Sequence, residues 1–353
     1  VNESKMGDDM DNESSKKIKS LVEMYGLNLR FAEKQGKVYK AYTDKGEFAL
    51  KRMDAKQGLD FLSYIQQLYQ QGYNRIVPIY PTLDGRHAIL RGNSLYYLMP
   101  WLDNKEREAH VQKHLDLFRE LARLHTVTVR EVPVNGEERE EHFERMATRW
   151  ELEQDVLEKF IEQSERQLYM SPFQLLLCTI YSEISGGQRY AINKLKEWHE
   201  STSEETKARS VVIHGKLSNE HFLYDQNGLG YFTNFERTGI ASPIHDLLPF
   251  LDRAFQTRPQ AFDHGMEWLD AYFRYFPFTD EEMQLFLSYL AYPSSIFSII
   301  EKYFSSETKK NEIKFVQRLQ KQYWRMKNTE YVVMRLEERE QRKKNQDTSA
   351  PSE

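Results

Sequence analysis

Cysteine is almost absent from these 353 residues: Cys178 stands alone, so no intramolecular disulfide can form. It sits in the apolar run Leu175-Leu176-Leu177-Cys178-Thr179-Ile180, which marks it as a core residue rather than a nucleophile. No apolar stretch approaches the ~20 residues that a membrane span needs, so none is expected. The first residues are rich in Asp, Glu, Ser and Lys and lack the apolar region of a signal peptide, so synthesis in the cytoplasm without export is expected. Charge of one sign is scarce too. With 49 Lys and Arg against 54 Asp and Glu the net charge is -5, and no basic block dominates, so composition gives no support for a nucleic-acid partner. Internal repeats and metal-type Cys/His clusters are lacking. Glycine is thin in the early loops: Glu33-Lys34-Gln35-Gly36-Lys37 has one, against the two or three usual in loops that cradle phosphates, and the acidic Glu33 opposes an anion.

What is present is enough chain for two domains or one two-lobed domain, and an aromatic share of 13% that recurs at helical spacing, as core does. Residues 1–17 have almost nothing to bury and read as a disordered leader, with folding from Ile18. Short strands follow at Leu29-Arg30-Phe31, Val38 to Tyr42 and Phe48 to Arg52, with a turn at Asp44-Lys45-Gly46. Leu59, Leu62, Ile65, Leu68 and Tyr69 predict a helix over Gly58 to Gln71. Ile76 to Tyr80, His87 to Leu90 and Tyr96 to Met99 read as strands, with Asp84-Gly85 as a turn, and Pro100-Trp101-Leu102-Asp103 as a hinge. Residues 18–100 therefore form a small antiparallel lobe and 101–335 a large helical one, an α+β architecture. Helices are expected near Leu117 to His125, Phe143 to Ile161, Pro172 to Tyr181 and Ala191 to His199, with Trp150, Phe160 and Trp198 as core anchors. Glu131 to Glu141 reads as a loop. His125 reads as a capping or core histidine. Further helices are expected at Trp268 to Tyr275, Glu281 to Ala291, Ile296 to Phe304 and from Asn311. A charged tail, 336–353, should fray from Gln341.

The chain is organised around Val211 to Asp246. Val211-Val212-Ile213 reads as a buried strand broken by His214-Gly215. His221 to Tyr224 and Gly230 to Thr233 then read as a hairpin across Asp225-Gln226-Asn227-Gly228. This layout resembles the catalytic segment of the two-lobed, protein-kinase-like phosphotransferases that include aminoglycoside and choline kinases. Their pattern is His-Gly-Asp, an Asn five residues after that Asp, a hairpin, then Asp-Phe-Glu and Pro-x-x-Asp-Leu. This chain has His214-Gly215-Lys216, His221 at the Asn position, Asn234-Phe235-Glu236 and Pro243-Ile244-His245-Asp246-Leu247. The resemblance implies that Lys216 stands at the catalytic-base position and that His221 and Asn234 stand at the metal-holding ones. A lysine with the ordinary pKa of ~10.4 has no lone pair to accept a proton, and magnesium selects hard oxygen ligands over imidazole nitrogen. His214, Lys216, His221, Asn234 and Glu236 are thus the degenerate positions of a pseudokinase. The same resemblance places Lys51 and Met99 at nucleotide-contacting positions, and Asp246 at a buried structural aspartate. It also calls for a helix glutamate to pair Lys51, where Gly58 to Gln71 offers only Asp60 near its start and Gln66 and Gln67 in its middle.

The phrases Phe48-Ala49-Leu50-Lys51, Gly72-Tyr73, Tyr97 to Leu102 and Pro243 to Leu247 resemble the CotS group of spore-coat-associated kinase-like proteins, and within it the YutH-like proteins. That resemblance implies endospore-coat localisation and other coat proteins as partners. One reading is a silent pseudokinase serving as a structural or interaction component of the coat, with Lys216 neutralising Glu236 or Glu220 and no cofactor. A second is a divergent ATP-dependent phosphotransferase, or a binder of ATP without magnesium, in which Lys216 holds phosphate directly. A third is a small-molecule binding protein using the acceptor cleft.

Overall fold

The computed structural model describes residues 15–102, 110–255, 263–305 and 311–349. They fall into two compact units, one of the residues up to Glu120 with His214–Gly239, the other of Leu121–Ile213 with Ile240 onward.

The first unit is a helix on an antiparallel sheet. Helix α1 (15–23) is followed by β1 (Leu29–Gln35), β2 (Val38–Thr43), β3 (Gly46–Asp54), α2 (Phe61–Gln70), β4 (Ile89–Arg91) and β5 (Ser94–Pro100). The strands lie in the order β1-β2-β3-β5-β4. Side chains alternate across a strand, so Leu50 and Leu98 face Ile18, Leu21, Val22 and Tyr25 in one apolar cluster. Lys51 and Tyr97, one residue along in each strand, point the other way and are cross-strand partners. Gln35 pairs with Val38, so the β1–β2 turn is only Gly36-Lys37, with Gly36 at the positive φ of 62° that such a turn needs. Ile76 to Tyr80, expected as a strand, makes only single bridges, Ile76 to Phe232 and Tyr80 to Leu98. Pro78 supplies no N–H for a ladder there. The hairpin of β8 (Phe222–Tyr224) and β9 (Gly230–Phe232) joins this unit through that bridge, with the Val77 amide donating to the Phe232 carbonyl at 2.8 Å.

The second unit is mostly helical. It takes the end of α3 (His110–Thr128), then β6 (Arg130–Pro133), α4 (Gly136–Glu165), α5 (Pro172–Thr202), β7 (Lys207–Ile213) and β10 (Gly239–Ala241), and then α6 (Ile244–Ala254), α7 (Asp263–Phe273), α8 (Asp280–Ala291), α9 (Ser294–Ser305) and α10 (Glu312–Ser349). Its core gathers Trp150, Phe160, Phe173, Ile184, Ile296 and Ile300, with Trp150 stacked on Tyr292 at 4.1 Å. Trp198 and Cys178 are only partly buried at its margin. Glu131 to Glu141 is not a loop. It forms β6, and Asn135 then caps α4 by accepting from the Glu137 amide at 3.0 Å. The two helices expected between Pro172 and His199 are one, α5, running through Gly186-Gly187. Packing against α4 and α8 overrides the glycines' poor helix propensity, and buried Gln188 donates to the Trp150 carbonyl at 2.5 Å.

Among the described residues one stretch, Asp280–Ser305, is long and apolar enough for a membrane span by composition. It is divided into α8 and α9 at Tyr292-Pro293, and 56% of its apolar window lies inside the unit. The predicted leader falls largely on residues 1–14, outside the described residues, as does Asp103 of the predicted hinge; residues 15–17 are helical. Helix α10 continues past Gln341, where fraying is expected, to Ser349.

Candidate functional site

The first unit assembles its polar centre from β3, β5 and the segment His214–Arg237. Gly215 turns the chain out of His214 with φ 74°, and any Cβ there would collide with the Arg237 carbonyl. His214 is buried; its Nε2 donates to the Thr233 carbonyl at 2.8 Å while its Nδ1 accepts the Lys216 amide at 3.2 Å. It therefore braces the two arms of the segment. Asp225 Oδ1 closes the hairpin by accepting the Asn227 and Leu229 amides at 2.9 and 2.8 Å. Asn219, in a single helical turn, lies with Nδ2 2.6 Å from His114 Nε2.

At the centre the Lys51 ammonium is ion-paired to the Glu236 carboxylate and hydrogen-bonded to Asn234 Oδ1. Their side chains are 12% and 7% exposed for Lys51 and Glu236. Tyr97 donates its hydroxyl to Glu236 Oε1 at 2.6 Å. Burial and the neighbouring carboxylate hold the Tyr97 phenol well above its ordinary pKa, so it remains a donor. Burial pushes Glu236 upward, but the Lys51 charge and the bonds from Lys51 and Tyr97 outweigh it and leave the carboxyl below the usual range. Asn234 is the one non-glycine residue among those described with positive φ, at 74°. That left-handed turn, which Asn tolerates better than most residues, aims its amide oxygen at Lys51 and its Nδ2 at His221 Nε2, 2.9 Å away. His221 Nδ1 donates to the Lys216 carbonyl at 2.8 Å. Burial, with the nearby positive charges, pushes the His221 imidazole down to about 4, so it is neutral at pH 7.

His221, Asn234, Glu236 and Lys51 are thus one hydrogen-bonded chain, while Lys216 lies beside it with an exposed side chain. Glu236 is not the counter-charge of Lys216, because Lys51 holds it. Among the described residues no carboxylate lies within ion-pairing distance of the Lys216 ammonium, Glu220 included. Met99 is buried, with its sulfur 3.7 Å from the Thr233 hydroxyl. Asp246 is in the second unit, buried, its Oδ2 3.3 Å from His125 Nε2, and His125 Nδ1 is 2.6 Å from the Tyr272 hydroxyl. His125 is thus a core histidine. Sequence reasoning missed Tyr97 and the Lys51–Glu236 pair. The only signal for either is the β3–β5 register, which sets Tyr97 opposite Lys51.

The donor set does not suit a divalent cation. Of its ligand atoms, His221 Nε2 accepts from Asn234, Asn234 Oδ1 faces an ammonium, and that ammonium would repel a metal. Among the described residues no three His, Cys, Asp or Glu side chains converge as a metal site. The loop above Lys51 suits a phosphate no better, since a two-residue turn paired to its ends has few free amides to offer.

The fold is that of solved phosphotransferases. An aminoglycoside phosphotransferase from Alicyclobacillus acidocaldarius superposes with a TM-score of 0.65 at 14% identity, over 90% of this chain and 96% of that one. A spectinomycin phosphotransferase, solved with ADP and spectinomycin, superposes with a TM-score of 0.52 at 12% identity, over 90% and 98%. The sequence profile of the family described as "Spore coat putative kinase YutH" matches residues 18–336. The chain belongs to that spore-coat kinase family.

Proposed function

We propose that this protein is a catalytically silent pseudokinase, serving the endospore coat as a structural or interaction component with other coat proteins as partners. The observation that carries the reading is the pairing of Lys51. Its ammonium, which would grip nucleotide phosphates on the family's pattern, is held by Glu236 and Asn234 of the same unit. A ligand phosphate would have to displace a carboxylate from a nearly buried ion pair, leaving that carboxylate unpaired beside it. Lys216 replaces the general base, whose loss alone costs ~10²- to 10⁴-fold in rate, and a metal-poor donor set removes charge stabilisation as well. Neither magnesium nor ATP is needed by the fold on this reading. Coat association is supported by the family to which the chain belongs.

The test is ADP release from ATP and magnesium, comparing the protein with its Lys51→Met variant. Equal background rates are expected. Turnover that Lys51→Met abolishes would overturn the proposal and point to phosphotransfer by a rewired site.

A further inference from the structure

Between α5 and α10 the second unit holds a pocket of about 490 Å³, within the ~300–1,000 Å³ of small-molecule sites. Its floor is apolar, with the buried Met326 and Val333 of α10 beside Ala291 at the end of α8. On the α5 side the floor is Gly186-Gly187. Two adjacent glycines in the middle of a helix are costly, and packing asks for neither. A Cβ on Gly187 would lie at an ordinary contact distance, 3.7 Å, from the Ala291 carbonyl oxygen, and a Cβ on Gly186 would meet nothing within 4 Å. What Gly186 does is leave room: the space of its missing side chain belongs to the pocket.

Charge selects the occupant. The charged side chains lining the pocket are Glu183 of α5 and Glu330, Glu337 and Glu338 of α10, and among the described residues no Lys or Arg joins them. Two lysines stand just outside, each shared between two carboxylates. Lys327 lies 2.7 Å from Glu183 and 2.5 Å from Glu330, and Lys194 lies 2.8 Å from both Glu337 and Glu197. Arg335 and Arg342 reach Glu338 at 3.4 and 3.9 Å from a different groove, which they line. One negative charge is therefore left over at each end of the pocket, beside Glu330 at one and Glu337 at the other. The Lys327 bond holds Glu183 below the usual carboxylate range, so that end stays ionised at neutral pH. Tyr190 fixes the other end by donating its hydroxyl to Glu337 at 2.5 Å. Glu330 and Glu337 are seven residues apart on α10, ~10.5 Å at a rise of about 1.5 Å per residue.

We propose that the α5–α10 pocket binds a linear organic diamine, with its methylene chain on the apolar floor and one ammonium at each acidic end. The site lies wholly in the second unit and does not depend on the first unit being silent.

The test is calorimetric titration of the full chain with octane-1,8-diamine, which should bind saturably and more weakly as salt rises. Octylamine, with one ammonium, should bind about fivefold more weakly. Suberate, with a carboxylate at each end, should not bind. Glu330→Gln, at an exposed position, should weaken the diamine about fivefold. Gly186→Ala puts a methyl group into the floor and should weaken it about tenfold while raising the melting midpoint, and Gly186→Leu should abolish binding. The loss in Gly186→Ala decides the matter even if Gly186→Leu fails to fold. Absence of saturable binding, equal affinity for diamine and octylamine, or diamine binding that Gly186→Ala leaves unchanged would each overturn the proposal.

Discussion

Lys51 and Glu236 are nearly buried and hold each other, so each is costly to remove singly. Glu236→Gln leaves the ammonium without its counter-charge and should lower unfolding free energy by roughly 3 kcal/mol, as should Lys51→Met. The double variant should lose less than the sum, because neither charge is then left alone. Urea unfolding of the four proteins measures the coupling, and strict additivity would show that the pair is not formed. His221 makes a second prediction. Its proton is bound more readily unfolded, near ~6.5, than folded, near 4. Its contribution is therefore full above pH 6.5 and is lost as pH falls toward 4. The pH dependence of stability over that window should be flatter in His221→Gln than in the native chain, and identical slopes would refute it. At this scale the sequence shows that Lys216, His221 and Asn234 depart from the residue types of the phosphotransferase pattern. It hides how Lys51 is held, because Glu236 and Tyr97 reach it only through strand register and a left-handed turn at Asn234.

Elements are more legible where the signal is local. The β8–β9 hairpin follows from Asn227-Gly228 between β-prone runs, and β2 and β3 from their composition and the turn at Gly46. Elements fail to be read where long-range packing decides. Ile76 to Tyr80 has strand composition but Pro78 limits it to single bridges, and the helices expected at Pro172 to Tyr181 and Ala191 to His199 are one, continuous through Gly186-Gly187. Nothing lies within 4 Å of a Cβ built on Gly186, so Gly186→Ala should gain helix propensity without a clash and stabilise the chain by about 1 kcal/mol. A thermal melt measures this, and a lowered midpoint would show that α5 requires glycine there for another reason. Asn135 at the α4 cap is visible in sequence as Asn135-Gly136, but that pair signals a turn and a cap equally well.

At the scale of the molecule the two-lobed kinase-like class is legible, since β-prone runs precede Pro100 and helical ones dominate after it. The compact units are divided otherwise: His214–Gly239 groups with the first hundred and twenty residues, tied in by the Ile76–Phe232 bridge, which no local pattern announces. The central claim is that Lys51, at the position proposed to grip phosphate, is satisfied within the first unit by Glu236 and Asn234. It is tested most directly by melting the protein with and without ATP, in magnesium and in EDTA. A ligand at a hundred times its Kd stabilises a folded state by about 2.7 kcal/mol, a shift of a few degrees for a chain of this size. The account predicts no shift in either buffer. A shift in magnesium that EDTA removes would contradict it by showing a working metal–nucleotide site, and one that survives EDTA would show phosphate displacing Glu236 from Lys51.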